Sequence, residues 1–213
     1  GPERNLLEWG PEHTRTITLD FPVIDNDELA KLQNIDKALP GRRSVTVRGL
    51  YHFDKGPDAL ENRLDEMCAE VDAAIAQGAE FIILSDRDSN KDLVPIPSLL
   101  MLSAVHHHLI RQENRMKVGL VVEAGDVREV HHVATLIGYG ASAINPYLAM
   151  ETCEILVRQG MISGVTPEQA GLMGLIVSVF MIGLLPFTLF YVLLRGFFAF
   201  QDTRTPFVFS FVQ

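Results

Sequence analysis

Three short apolar runs, each followed by polar residues and then by a helical pattern, limit most strongly how this chain can fold. The runs are Phe81–Leu84, Val118–Val122 and Ala143–Ile144. Each is apolar on both faces, which is typical of strands in a parallel sheet that is covered by helices. The sequence therefore predicts an α/β fold of repeated βα units around a parallel sheet, resembling part of a barrel.

Helical patterns occupy the stretches around these runs. Apolar residues recur at three- and four-residue steps from Asp58 to Gln77, and Gly78 follows at the position of a helix stop. Earlier in the chain, a short acidic helix is predicted, with Asp25 or Asn26 as its N-cap. The alternating β-branched residues of Ser44–Tyr51 predict a strand. Further helices are predicted over Pro97–Gln112, Val127–Ile137 and Leu148–Gln159.

Polar side chains follow each of the three apolar runs. The carboxyl ends of parallel strands meet at one edge of a sheet, where the binding residues of α/β proteins collect. The alternative is that such residues are only turn formers or helix caps. The candidate site consists of Ser85, Asp86, Arg87, Glu123 and Asn145.

The composition changes abruptly near Ala170, which predicts two parts. Residues 1–170 have a net charge of −10 and the pattern of an α/β domain, whereas only three charged residues lie in 171–213. Residues 171–194 contain no charge over 24 positions, enough for a helix to cross a bilayer core of about 30 Å. A transmembrane helix contacting membrane lipid is therefore predicted, and the alternative is a buried helix of a large core.

Charge and cysteine content limit the partners, the scaffold class and the cellular location that can be expected. A net charge of −9 argues against a nucleic-acid partner, and two cysteines argue against a disulfide scaffold. The first 20 residues lack the apolar core of a signal peptide. We expect a cytoplasmic location for residues 1–170, with membrane association if the following segment inserts.

Local patterns for metal or nucleophilic chemistry are weak. His106–His108 and His131–His132 are runs of adjacent residues, which point about 100° apart on a helix and cannot all reach one ion. No metal site is predicted. Cys68 and Cys153 are expected to be small core residues, and no serine lies in a nucleophile-elbow motif.

The ordered motifs of the first part resemble the central domain of the glutamate synthase large subunit, over about residues 3–169. The motifs lie in Glu3–Leu7, Ile83–Arg87, Pro95–Leu100, Ala104–Arg111, Val118–Gly125, Arg128–His132, Gly138–Ala141 and Asn145–Leu148. The family resemblance implies an enzyme of glutamate biosynthesis and nitrogen assimilation, which forms L-glutamate from L-glutamine and 2-oxoglutarate.

The resemblance also implies where the chemistry would lie. In that family, an amidotransferase domain releases ammonia, which passes through an internal channel to a synthase domain holding FMN and an iron–sulfur cluster. The central domain connects the two, so its partners are the remaining domains of the enzyme. We expect this chain to contain no catalytic, cofactor-binding or metal-binding residue and to be inactive alone.

The last part resembles a different family. Leu185–Phe187, Leu193–Phe200 and Asp202–Pro206 are similar to one segment of the MviN-type lipid II flippases. This resemblance implies a chimera of two bacterial fragments, with a predicted join near Ala170. The alternatives to a glutamate synthase fragment are a membrane-anchored chimera and a fragment of a lipid II flippase.

Overall fold

The computed structural model describes residues 17–161, 164–166 and 170, in which six strands and six α-helices are named. The strands are β1 (Ser44–Arg48), β2 (Leu50–His52), β3 (Phe81–Ser85), β4 (Leu93–Pro95), β5 (Gly119–Glu123) and β6 (Ala143–Asn145). The helices are α1 (Asn26–Gln33), α2 (Ile35–Ala38), α3 (Ala59–Ala76), α4 (Ser98–Arg111), α5 (Val130–Gly138) and α6 (Tyr147–Arg158).

The main sheet is parallel, which confirms the predicted α/β class. Its order is β1-β3-β5-β6, so the strands follow one another as they do along the chain. Ile82 of β3 lies opposite Val45 on one side and Leu120 on the other. All five residues of β3 and of β5 are buried, as their continuous apolar runs require.

Helices cover both faces of this sheet. On one face, Ile82, Leu84 and Leu120 belong to a core that includes residues of α3, α4 and α5. On the opposite face, Ile83 and Val121 pack in a second core with residues of α1. Burying a side chain of this size stabilises a fold by about 1.5–3 kcal/mol.

The predicted single strand Ser44–Tyr51 is wrong, because the chain breaks into two strands at Gly49. β1 pairs with β3, while β2 pairs with β4 in a separate two-stranded antiparallel sheet. The backbone of Gly49 donates to the Ser85 carbonyl and accepts from Ile96, each at 2.8 Å. A Cβ at Gly49 would overlap the Met101 sulfur of α4, so a larger residue there requires Met101 to shift.

The other predicted boundaries are close, with one exception. Asp25 caps α1 in a capping box with Glu28, as one of the two predicted caps. The helix predicted from Val127 starts only at Val130, because Glu129 has an extended backbone and is its N-cap. Gly138 is still helical, and the left-handed turn lies at Gly140, where φ is +97°.

The predicted transmembrane helix at 171–194 lies outside the described residues. Within residues 17–161, 164–166 and 170, no helix combines the length and hydrophobicity that crossing a bilayer requires. The join predicted near Ala170 and the loop up to residue 213 also lie largely beyond the described part.

Candidate functional site at the carboxyl edge of the sheet

The predicted site residues do gather at one edge of the parallel sheet. Ser85 and Glu123 are the last residues of β3 and β5, and they lie opposite each other in the register. Ser85 is completely buried, Glu123 is 3% exposed and Asp86 is 4% exposed. Buried polar groups must find partners, so the hydrogen bonds among these residues decide what the edge can do.

Glu123 is the centre of the cluster. The Ser85 hydroxyl donates to its Oε2 at 2.6 Å, and Arg87 Nε donates to its Oε1 at 2.5 Å. Charged hydrogen bonds of this kind are about twice as strong as neutral ones. Both oxygens of the buried carboxylate are therefore engaged, and its charge is balanced by Arg87.

Arg87 also reaches the helix that follows β6. Its Nη1 donates to Glu151 Oε1 at 3.0 Å, and its guanidinium carbon lies 4.0 Å from the centre of the Tyr147 ring. This is the geometry of a cation–π contact. Hydrogen bonds to Glu123 and Glu151 raise the pKa of Arg87, although burial works in the opposite direction.

Asp86 lies beside this network and is held by the loop after β5. The backbone N–H of Gly125 donates to its two carboxyl oxygens at 3.0 and 2.8 Å, and the Tyr147 hydroxyl bonds to it as well. Burial raises the pKa of Asp86, with Asp126 and Glu123 nearby acting in the same direction. Burial and the Asp86 charge together raise the pKa of Tyr147 to about 12.

Arg48, at the end of β1, completes the edge. Its Nη1 donates to the Ser85 hydroxyl at 3.4 Å and to the Arg87 carbonyl at 3.1 Å. It also forms an ion pair with Asp88 at 2.9 Å. Asp88 has a left-handed backbone with φ of +72°, a conformation that aspartate tolerates better than most residues.

Asn145 belongs to a different environment from the other four predicted residues. Its Nδ2 donates to the Ile24 carbonyl at 3.0 Å and to Asn26 Oδ1 at 3.1 Å, at the start of α1. These two acceptors fix the orientation of the amide. Its buried Oδ1 has no hydrogen-bond partner among the described residues. Asn145 therefore ties β6 to the segment before α1.

The charged side chains of the cluster connect different elements of the fold. Glu123, Arg87, Arg48 and Asp86 bond to one another or to β1, β3, the loop after β5, and α6. The Tyr147 hydroxyl, with a pKa near 12, stays protonated at neutral pH. These contacts link the ends of β1 and β3 to the loop after β5 and to α6.

The contacts of the histidine clusters indicate a role in packing. Arg115 Nε donates to His106 Nδ1 at 3.0 Å, and burial together with Arg115 lowers the pKa of His106. His108 bonds to Asp72 of α3 at 2.8 Å. Throughout the described ranges, no three His, Cys, Asp or Glu side chains are grouped so that they could hold a metal ion. Burial raises the pKa of Cys68, which disfavours a reactive thiolate.

The sequence reasoning missed the partners that other elements supply. Arg48, Gly125, Tyr147 and Glu151 were not predicted as site residues. A partial signal existed, since Tyr147 and Glu151 are four positions apart on the helix after a strand-end residue and so share one face. Arg48 lies inside the strand predicted over Ser44–Tyr51, so its place at the end of β1 was not predicted.

Comparison with known proteins shows one extended similarity. The family described as the glutamate synthase central domain matches residues 1–180. The NADH-dependent glutamate synthase of Schizosaccharomyces pombe is 39% identical over 171 residues, which cover 80% of this chain and 8% of that protein. The large chain of the NADPH-dependent glutamate synthase of Bacillus subtilis is 43% identical over 160 residues, covering 75% and 10%.

A ferredoxin-dependent chloroplast glutamate synthase of rice is also similar, with 40% identity over 184 residues, 80% of this chain and 11% of the relative. The chain thus spans about a tenth of the length of these curated relatives. The first predicted resemblance is confirmed. The flippase resemblance finds no support in these comparisons, and the family match extends ten residues beyond the predicted join at residue 170.

Proposed function

The chain belongs to the glutamate synthase central domain family, and we propose that it serves as the central-domain segment of a glutamate synthase. In this role it connects the part that releases ammonia from L-glutamine with the part that forms L-glutamate from 2-oxoglutarate. The remaining domains of the same enzyme are its partners. The family match over residues 1–180 is the observation that carries this proposal.

The chemistry of the synthase would reside outside these residues. An iron–sulfur cluster of the common types takes four cysteine thiolates, and this chain has only Cys68 and Cys153, on α3 and α6. The residues present therefore do not fit the cluster. We assign the cluster and FMN to the rest of the enzyme and derive no catalytic step from this chain.

The carboxyl-edge cluster supports a structural role. Glu123 and Arg87 are paired inside the domain, and the Asp86 carboxylate is bonded to Gly125 and Tyr147. We propose that these residues hold α6 against the strand ends. We also propose that the sheet is one part of a barrel-like array, because its parallel strands follow chain order.

The division near Ala170 is also a proposal. The change in charge density at that position supports an α/β part in residues 1–170 and a separate hydrophobic segment in 171–213. Deleting 171–213 should leave a chain with the far-ultraviolet circular dichroism of an α/β domain. An unfolded truncation would contradict this boundary.

A substitution in a complete enzyme tests the structural role of the cluster. The host is the Bacillus subtilis large chain, with its matching segment replaced by residues 3–169 of this chain; we call this the grafted enzyme. Glu123→Gln should lower its thermal stability and leave the turnover of the folded enzyme unchanged. Glu154→Gln, on the outer part of α6, is the matched control. Loss of turnover at unchanged stability would instead indicate a catalytic role for Glu123.

The isolated chain tests the proposed lack of chemistry. It should release no ammonia from L-glutamine and should bind no FMN, measured by a coupled ammonia assay and by flavin absorbance after gel filtration. Catalytic turnover by the chain alone would contradict the proposal.

A further inference from the structure

Helix α6 is poorly buried compared with the other long helices. Of its twelve residues only Met150 is buried, whereas Leu148 and Ile155 are 48% and 49% exposed. By contrast, α4 buries Met101, Leu102, Val105 and Leu109 in the core. Apolar burial therefore contributes little to holding α6 in place.

The position of β6 in the sheet explains this low burial. A helix that follows a parallel strand normally packs over that strand and the next one in the sheet. Among the described residues, the outer side of β6 has only a single bridge, between Val23 and Ile144. Within the described part of the chain, α6 therefore follows the end strand of the four-stranded sheet, whose one strand neighbour is β5.

Polar contacts instead attach α6 to the strand ends. Arg87 bonds to Glu151 at 3.0 Å and lies 4.0 Å from the Tyr147 ring, while the Tyr147 hydroxyl bonds to Asp86. Both Arg87 and Asp86 are anchored on the sheet side, to Glu123 and to Gly125 respectively. All these contacts involve the first two turns of the helix.

We propose that α6 is a separately opening helix, latched to the sheet by Arg87 and Asp86 through Glu151 and Tyr147. The latch is local, so α6 opens without unfolding β3 and β5. Helix α6 ends at Arg158, so the latch also holds Gln159, its C-cap, near the sheet. This inference concerns the chain itself and does not depend on the proposed function.

Native-state hydrogen–deuterium exchange on the full chain, read by mass spectrometry, tests the latch. The amides of residues 150–158 should exchange faster than those of β3 and β5, because α6 opens more often than the two strands do. Tyr147→Phe keeps the ring over Arg87 and removes the hydroxyl, and it should speed exchange in α6 by about tenfold, since a hydrogen bond to a charged group is lost. Glu151→Gln breaks a half-exposed ion pair and should speed exchange in α6 by about two- to fivefold.

Glu154→Gln is the matched control, because Glu154 pairs with Arg158 within the same helix, at 3.5 Å, and not with the sheet. It should leave exchange in α6 unchanged. Three results would overturn the proposal: α6 exchanging no faster than β3 and β5 in the unaltered chain, both latch variants behaving like the control, or both variants speeding exchange equally in α6, β3 and β5.

Discussion

Replacing Arg87 by methionine should be among the most damaging single substitutions at the carboxyl edge. Methionine keeps much of the aliphatic length but leaves Glu123, which is 3% exposed, with only the Ser85 hydroxyl as a donor from the described residues. Removing one partner of a buried ion pair costs about 3–5 kcal/mol. The Arg87 side chain is itself 33% exposed, so water screens part of this loss and the lower end of that range applies.

The other contacts of Arg87 add smaller losses. Its ion pair with Glu151 is half-exposed and contributes at most about 1 kcal/mol. Its position over the Tyr147 ring contributes about 0.5–1 kcal/mol. We therefore expect Arg87→Met to lower the free energy of unfolding by about 3.5–5 kcal/mol, dominated by the uncompensated Glu123 carboxylate.

Urea unfolding followed by circular dichroism measures this loss. With a urea dependence of about 1–3 kcal/mol per molar, the midpoint should fall by about 1–5 M. Arg158→Met is the matched control, since Arg158 pairs with Glu154 on the helix surface and should change stability by less than about 0.5 kcal/mol.

The cause of the loss is tested by a second substitution. Adding Glu123→Gln to Arg87→Met removes the buried charge, so the double variant should be more stable than Arg87→Met alone. If Arg87→Met is as stable as the Arg158→Met control, or if the double variant is less stable than Arg87→Met, then Glu123 is not a buried charge that depends on Arg87.

Three further predictions concern other parts of the chain. In Gly125→Ala the new Cβ would lie 2.8 Å from the Tyr147 hydroxyl, so thermal melts should show a loss of about 1–3 kcal/mol. Gly138→Ala, where a Cβ meets nothing within 4 Å, should instead stabilise α5 by about 0.5–1 kcal/mol; equal effects would contradict both. Burial and Arg115 lower the pKa of His106 from 6.5, so the unfolded chain binds the proton first and stability should fall as pH drops through that value. His106→Gln should weaken this pH dependence in urea titrations, and an unchanged slope would exclude His106 as a source. Deleting 171–213 should raise the soluble fraction measured after centrifugation, because a largely uncharged, apolar sequence is removed; equal solubility would contradict it.

The central strands were predictable from sequence because their environment is uniform. β3 and β5 are buried on both faces, so continuous apolar runs mark them directly. The three-residue β4 gave no such signal, and it exists because β2 pairs with it. The break at Gly49 accompanies the pairing of Leu50 with Pro95, about 45 positions later. Such long-range packing is not visible in a local pattern.

The candidate site was predictable only where the sheet itself brings residues together. Ser85 and Glu123 meet because they end neighbouring parallel strands. Tyr147 and Glu151 reach the same place from α6, whose position depends on tertiary packing. Asn145 was predicted with the others from its strand-end position, yet its amide turns toward Ile24 and Asn26. A strand-end position predicts the edge of the sheet but not the partner of the side chain.

The most direct measurement is the amount of glutamate formed per glutamine hydrolysed by the unaltered grafted enzyme, compared with the Bacillus subtilis host. If residues 3–169 serve as the central segment of a glutamate synthase, the grafted enzyme should fold, retain its flavin and form glutamate in the same ratio as the host. A grafted enzyme that makes glutamate from free ammonia but no longer from glutamine would contradict the connecting role.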